Sequence, residues 1–258
     1  MRVSIPFTKA HGAKNDFLLT WEDDAPPGNR SELARAICDR HTGVGADGWL
    51  LVTRGGAITL YNSDGSMAEI SGNGTRCAAA FLVRAGLATD TVTILTGAGP
   101  KELRLLERAG LAFTFEMNMG AAEVRDAHYA LHSRDVVLVW VGNPQCAVPV
   151  ENFDFDWRTL GARIESDPRF PNRTNVSFLR PLDRHTLEVR FWERGAGETM
   201  SSGTGSTGAA AAAIARRMVT SPVRVLTPAG PLDIRRQGDD FFLVGPSQIV
   251  ADGFFLME

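Results

Sequence analysis

The chain has 258 residues, of which 44% are hydrophobic, so it is long enough for two domains of roughly 100 to 150 residues with their own cores. A net charge of −3 with both signs interspersed lacks the basic stripe that nucleic acid or an anionic lipid surface would need. The start of the chain lacks the apolar core of a signal peptide, and no apolar run approaches the ~20 residues of a membrane helix. We therefore expect a cytoplasmic protein that binds neither nucleic acid nor membranes.

The predicted strands and helices recur in the same order in the two halves of the chain. In the first half they are strand 57–61, helix 77–86 and strands 91–95, 102–106 and 112–117. In the second half they are strand 187–192, helix 208–218 and strands 223–226, 232–235 and 241–244. Both helices are apolar on every face, which predicts that they are buried on all sides.

Two short sequences repeat at a common offset. Residues 71–75, Ser-Gly-Asn-Gly-Thr, return as residues 202–206, Ser-Gly-Thr-Gly-Ser, 131 positions later. Residues 95–100, Leu-Thr-Gly-Ala-Gly-Pro, return as residues 226–231, Leu-Thr-Pro-Ala-Gly-Pro, again shifted by 131. Two matches in one register indicate a duplicated unit of about half the chain.

These patterns predict an α/β (α+β) fold of two pseudo-symmetric units. Each unit is expected to be a curved, mainly antiparallel sheet wrapped around one central helix. The stretch 118–128 is polar and lacks clear periodicity, so we place the domain boundary there. The predicted units are residues 1–120, joined by the tail at about 248–258, and residues 121–247.

The cysteines give no sign of a disulfide framework or a structural zinc site. They are odd in number, far apart and without C-x-x-C spacing. We expect buried free thiols at Cys38, Cys77 and Cys146.

Other side chains that hold metals or cofactors are also sparse. His128 and His132 have the spacing of a helical metal site, but no carboxylate completes a zinc set, and a solvated linker face is the alternative. The chain's three lysines, Lys9, Lys14 and Lys101, offer no recognisable setting for pyridoxal phosphate. The sequence therefore predicts no metal and no cofactor.

The two glycine-rich turns predict a binding site for an anion. Each turn leads into a helix, whose first backbone N–H groups lack carbonyl partners and whose dipole favours negative charge. The alternative is that the serines are ordinary N-caps of buried helices. The pattern Gly203-x-Gly205-x-x-Gly208 also matches a dinucleotide fingerprint, but seven residues, 196–202, separate it from the preceding strand and its turn. The first copy lacks the third glycine, and we reject that interpretation.

Six motifs resemble those of the diaminopimelate epimerase family, and the resemblance runs nearly end to end. They lie at residues 7–17, 43–48, 62–66, 141–144, 175–176 and 193–199. The resemblance implies two pseudo-symmetric α/β units with an active site between them. It also implies epimerisation of LL-diaminopimelate to meso-diaminopimelate, a lysine and cell-wall precursor, without cofactor or metal. Whether the chain pairs into a homodimer stays open.

The catalytic positions depart from the family pattern. The family uses two cysteines on opposite faces of the substrate, one thiolate as base and one thiol as acid. Here Ser71 and Ser202 occupy those positions, and a serine hydroxyl does not ionise usefully near neutral pH without an adjacent base. Gln145 stands where the family has a histidine that assists the first thiol, whereas the acidic Glu193 that assists the second position is kept.

The substrate-binding positions are better preserved than the catalytic ones. By resemblance, asparagines and an arginine would hold the distal amino-carboxylate of the substrate, with Glu193 beside them: Asn15, Asn62, Asn143, Asn175 and Arg194. The near carboxylate would lie against the backbone of the two turns, at Gly72, Asn73, Gly203 and Thr204.

Three explanations of the two serines remain open at this point. Cysteines could have been exchanged for serine to trap a complex, although Gln145 and Ser201 look native. The chain could be a natural homologue that moves the α-proton slowly or on another amino acid. It could also be a binding protein that keeps a pocket for a diamino diacid without the reaction.

Catalysis by Cys77 is rejected because it lies in the all-apolar helix and its counterpart is Gly208.

Overall fold

The structure, a computed structural model, describes residues 3–257. In the first half, the strands are β1 (Val3–Gly12), β2 (Asn15–Trp21), β3 (Gly48–Val52), β4 (Ile58–Asn62), β5 (Met67–Ala68), β6 (Thr91–Thr96), β7 (Gly99–Ala109) and β8 (Ala112–Ala121). The helices there are α1 (Arg30–Cys38) and α2 (Gly72–Arg84), with a short 3-10 helix at Glu22–Asp24.

After one additional strand, the second half repeats this order of strands and α-helices. Its strands are β9 (Glu123–Leu131), β10 (Arg134–Trp140), β11 (Pro144–Pro149), β12 (Asn175–Asp183), β13 (Thr186–Glu193), β14 (Gly197–Thr199), β15 (Val223–Thr227), β16 (Gly230–Gln237) and β17 (Asp240–Met257). Its helices are α3 (Trp157–Glu165) and α4 (Gly203–Ala215).

The chain forms two compact units. The first contains the described residues up to Met117 and those from Gly245 onward, and the second contains Asn118–Val244. In the first unit, β2 and β3 pair in parallel, whereas β1 with β2, β3 with β4 and β6 with β7 pair antiparallel. The second unit has the same arrangement, with β11 and β12 parallel and β10 with β11, β12 with β13 and β15 with β16 antiparallel. The mixed α/β, mainly antiparallel fold predicted from the sequence is therefore present in each unit.

The central helix of each unit is buried by its sheet. Every residue of α2 from Gly72 to Val83 is buried, as are nearly all residues of α4 up to Ala213. Small side chains permit this close packing, since a Cβ on Gly205 would lie 2.9 Å from a ring carbon of Phe191. The predicted helices are correct in type and burial, but both begin five residues earlier than predicted, at Gly72 and Gly203. Their first turns are glycine-rich, which hid them because glycine is a poor helix former.

The stretch 118–128, where we place the domain boundary, is mostly strand. It comprises the end of β8 and the first part of β9, which pairs antiparallel with β10. Its polarity arises because most side chains of β9 are exposed or only partly buried. His128 lies on this strand and contacts Asp135, and His132 lies in the following turn, so the two histidines do not share a helix.

Two kinds of feature are absent from residues 3–257. No helix there is long and apolar enough to span a membrane. No group of three or more His, Cys, Asp or Glu side chains in this part of the chain is arranged to hold a metal ion.

The end of the chain lies beside its beginning. Residues 248–257 of β17 pair antiparallel with β1, from His11 opposite Gln248 to Val3 opposite Met257. The three cysteines are free and buried, as predicted. Cys38 packs in the core below β3 with Trp49, and Cys146 packs in the second unit with Phe178.

Candidate active site

Ser71 and Ser202 are the N-cap residues of the two central helices. The Oγ of Ser71 accepts the backbone N–H of Gly74 at 3.1 Å, and the Oγ of Ser202 accepts that of Gly205 at 3.0 Å. Both serines have extended backbone angles, as N-caps require. The capping interpretation is therefore correct for both copies.

The caps leave backbone N–H groups and the serine O–H of each turn able to bind a ligand. Each cap satisfies the third N–H of its helix, so the two preceding amides, at Gly72 and Asn73 or at Gly203 and Thr204, have no intrahelical carbonyl partner. The serine oxygen acts as acceptor in the cap, and its own O–H therefore stays free to donate. Each turn combines a hydroxyl donor with the positive end of a helix dipole, which suits an anionic group.

Glu193 places a carboxyl group beside Ser202. It is the last residue of β13, and its carboxyl is surrounded by protein atoms although the residue as a whole is partly exposed. Burial raises the pKa of this carboxyl above its ordinary value, while hydrogen bonds with the side chains of Ser202 and Thr199 act in the opposite direction. Ser202, which is 4% exposed, thus hydrogen bonds both to the start of α4 and to a carboxylate of enhanced basicity.

In the first unit, Asn73 joins the turn to Asn15. The Nδ2 of Asn73 donates to the Oδ1 of Asn15 at 3.2 Å, and the Nδ2 of Asn15 donates to Asp47 at 2.6 Å. Arg40 bridges Asp47 and Asp16 at 2.7 Å to each. Although burial raises the pKa of Asp16, hydrogen bonds from Arg40 and Lys9 outweigh it and hold that pKa below its usual range. Ser71, Gly72, Asn73 and Asn15 therefore form one connected group.

In the second unit, Gln145 and Asn143 contact the α4 turn through Thr204. The Nε2 of Gln145 donates to Asn143 at 2.7 Å and to the Oγ1 of Thr204 at 3.2 Å, and Asn143 donates to the same hydroxyl at 3.4 Å. Gln145 is 2% exposed, and its Oε1 has no hydrogen-bond partner among residues 3–257. The amide at the family's histidine position is thus fixed as a donor to its neighbours and cannot take a proton.

Asn175 holds the loop that carries Arg194. Its Oδ1 accepts the backbone N–H of Arg194 at 3.0 Å, and its Nδ2 donates to the carbonyl oxygen of Pro144 at 3.0 Å. The side chain of Arg194 lies on the surface and donates to the carbonyl oxygen of Asn172 at 3.1 Å. Asn62, in the first unit, donates to the hydroxyl of Ser66 at 3.0 Å.

Two residues of this region were missed from the sequence. Thr199 lies beside Glu193, where its side chain lowers the pKa of that carboxyl, and it occupies the last position of a motif that was recognised. Glu165, at the end of α3 and 3% exposed, accepts the backbone N–H of Gly195 at 3.2 Å and pairs with Arg173. Nothing in the local sequence marks Glu165, because its contact depends on how α3 packs on the β13 hairpin.

Comparison with known proteins shows the family of this chain. The sequence profile of the family described as "Diaminopimelate epimerase" matches residues 7–124 and again residues 137–250. The chain belongs to the diaminopimelate epimerase family. It is 36% identical to the diaminopimelate epimerase of Ectopseudomonas mendocina (strain ymp) over 272 aligned positions, which cover 96% of this chain and 97% of that protein.

Solved structures with low sequence identity to this chain share its fold. The Bacillus anthracis phenazine biosynthesis protein of the PhzF family has a TM-score of 0.76 at 14% identity, covering 98% of this chain and 99% of that one. A hydroxyproline epimerase from Agrobacterium vitis has a TM-score of 0.71 at 16% identity, covering 100% and 94%. At this level of identity the likeness concerns the fold alone.

Proposed function

We propose that this protein interconverts LL- and meso-diaminopimelate by proton transfer at the α-carbon, without a cofactor, and that Ser202 and Glu193 form its base. The observation that carries the proposal is the hydroxyl of Ser202 placed between the α4 N-terminus and a buried carboxylate of raised pKa. Membership of the diaminopimelate epimerase family supports the substrate.

The base operates as a two-step relay. As the α-proton moves to the Oγ of Ser202, the hydroxyl proton of Ser202 moves to the carboxylate of Glu193, so no free serine alkoxide forms. A carboxylate with a raised pKa is a better proton acceptor than an ordinary one. This arrangement compensates in part for the missing thiolate.

Ser71 supplies the acid in this proposal. Its hydroxyl oxygen accepts the N–H of Gly74, which stabilises negative charge on that oxygen as the O–H proton moves to the opposite face of the α-carbon. Ser71 then regains a proton from water while Glu193 releases one, so protons balance over a cycle. Inversion requires one group on each face, and the duplicated turns supply two equivalent groups.

The ends of the substrate are assigned to different groups. The near carboxylate accepts from the free amides at the starts of α2 and α4. The distal amino-carboxylate meets Arg194, which is able to bind a carboxylate bidentately, together with the asparagines predicted for this role. Asn175 acts here by fixing the backbone of Arg194. We also propose a cytoplasmic location, in keeping with the composition, and leave a homodimer as a prediction for sedimentation analysis.

The proposal is tested by proton exchange. Protein and LL-diaminopimelate are mixed in deuterated water, and loss of the α-proton NMR signal is followed over a day. We expect exchange in the wild type and a decrease of about a hundredfold or more in Glu193→Gln, the usual range for loss of a general base. Arg194→Ala should abolish exchange by loss of binding. Glu198→Gln is the matched control, since it removes an exposed carboxylate of the same hairpin.

Each outcome distinguishes the explanations of the two serines. Line broadening of the ligand without exchange would show binding without turnover and refute the epimerase proposal in favour of a binding homologue. Exchange that persists in Glu193→Gln would refute the relay. Exchange of a different amino acid in place of diaminopimelate would overturn the substrate while keeping the chemistry.

A further inference from the structure

Arg76 is a fully buried arginine without an acidic partner among residues 3–257. It lies on α2, one turn after Asn73, and is 0% exposed. Its Nε donates to the carbonyl oxygen of Pro246 at 3.2 Å, its Nη2 donates to the Oδ1 of Asn73, and its Nη1 has no partner in the described part of the chain. Burying a guanidinium without a carboxylate is costly, so this side chain calls for an explanation.

The second unit shows that the fold does not need this cation. The position 131 residues later is Thr207, which is also fully buried and whose Oγ1 donates to the carbonyl oxygen of Gly203 at 2.9 Å. The helix α4 has the same length and the same serine cap as α2. The arginine is therefore specific to the first unit.

Arg76 begins a chain of hydrogen bonds that has a fixed direction. A guanidinium only donates and a carboxylate only accepts. Arg76 donates to Asn73, Asn73 donates to Asn15, and Asn15 donates to Asp47. With a donor at one end and an acceptor at the other, neither asparagine amide can rotate by half a turn without placing two donors or two acceptors against each other.

This direction determines what Asn15 offers to a ligand. Each amide commits its oxygen and one N–H to the chain and keeps its second N–H. Asn15 is partly exposed, so its remaining N–H is available as a donor. A donor at this position, oriented by Arg76 through Asn73, suits a carboxylate, and Arg40 offsets the charge of the Asp47 carboxylate that Asn15 contacts.

We propose that Arg76 is a positioning residue, which orients the amides of Asn73 and Asn15 so that the first unit presents donors to a carboxylate of the substrate. This inference rests on the proposed function for the identity of the substrate, but the orientation itself is a property of the free protein. Burial lowers the pKa of Arg76 to about 10, so the side chain stays protonated near neutral pH.

The test compares Arg76→Lys with Arg76→Met. Lysine keeps a charged donor for Asn73, whereas methionine keeps the volume and removes the donor. Arg84→Met is the matched control, because Arg84 lies on the same helix and contacts Asp252 and Thr8 instead. Side-chain amide signals of Asn15 and Asn73 are recorded by ¹⁵N NMR in the free protein, and affinities for LL-diaminopimelate and for acetate are measured by titration.

We expect Arg76→Met to shift the Asn15 and Asn73 amide signals and to weaken binding of both ligands by about tenfold to a hundredfold, the range for loss of a hydrogen bond to a charged group. Arg76→Lys should restore most of the affinity, and Arg84→Met should match the wild type. Unchanged amide signals and affinity in a folded Arg76→Met variant would overturn the proposal.

Two further outcomes remain decisive. If Arg76→Met does not fold, the orienting role is tested by the Asn15 side-chain amide signals of Arg76→Lys. Lysine retains a donor for Asn73, so signals that differ from those of the wild type would contradict the orienting role. If the wild type binds acetate but not diaminopimelate, the proposed function fails while the role of Arg76 is judged by acetate and the amide signals. Failure of the wild type to bind either ligand overturns both.

Discussion

Replacing Glu193 with glutamine should stabilise the protein at neutral pH relative to the wild type, and the gain should depend on pH. The carboxyl of Glu193 is raised in pKa by burial, so the folded protein binds its proton more tightly than the unfolded chain does. The stability from this proton is fully present below the unfolded pKa of about 4.3 and is lost as pH rises through the higher folded pKa. Glutamine keeps the shape and the acceptor oxygen for Ser202 without the charge.

The magnitude follows from the size of the pKa elevation. Each unit by which the folded pKa exceeds the unfolded one costs about 1.4 kcal/mol of stability once the carboxyl is ionised. The side chains of Ser202 and Thr199 limit that cost, because they lower the pKa of the carboxyl against the effect of burial. The difference in unfolding free energy between Glu193→Gln and the wild type should therefore grow above about pH 4.3 and level off once the carboxyl is ionised.

The assay is urea unfolding of the two proteins at several pH values from 4 to 8, with free energies obtained by linear extrapolation. Taking the difference cancels the other carboxylates, such as Asp16, which titrate in both proteins. Glu198→Gln is the control, as its exposed ion pair with Arg158 contributes at most about 1 kcal/mol. The reasoning would be refuted if the difference in unfolding free energy stayed constant with pH. It would also be refuted if the wild type became more stable relative to Glu193→Gln as pH rises.

Three other predictions follow from burial and capping. The cysteines should resist alkylation in the native state, as followed by mass spectrometry with a denatured sample for comparison, because burial raises the pKa of each thiol to about 12: Cys38, Cys77 and Cys146. Replacing Ser71 or Ser202 with alanine should cost about 1 kcal/mol each in urea unfolding through loss of the helix cap, and a cost near zero would contradict the observed caps. Gly205→Ala should lower the melting temperature through overpacking of about 1–3 kcal/mol, since its Cβ would meet Phe191 and the Oγ of Ser202 at 2.9 Å. An unchanged or higher melting temperature would show that Phe191 moves aside.

Local chemistry makes the repeated parts of this fold predictable from sequence. The turns at Ser71 and Ser202 contain the same residue types because each begins a buried helix that packs against a sheet. Their spacing is therefore sufficient to indicate the duplication from the sequence alone. The strands with alternating burial, such as β13, are predictable for the same reason.

Features that depend on distant pairing are not predictable in this way. Asn175 contacts Pro144 and the backbone of Arg194 only because β12 lies between β11 and β13 in one register. Arg76 lies directly before an apolar run, and its donor role toward Asn73 follows from the orientation of a fully buried side chain. The strands within 118–128 are not predictable because polar composition cannot distinguish an exposed strand from a loop.

The pairing of β1 with the end of β17 has a consequence for synthesis on the ribosome. The second unit is continuous in sequence, so it is translated before residues 245–257, which belong to the first unit. The first unit begins earlier but lacks a strand of its sheet until residues 248–257 have been made, which leaves one edge of β1 unpaired until then. The unit whose translation begins first is thus the unit whose folding is completed last. A chain truncated near Gly245 would retain the whole second unit but would lack one strand of the first.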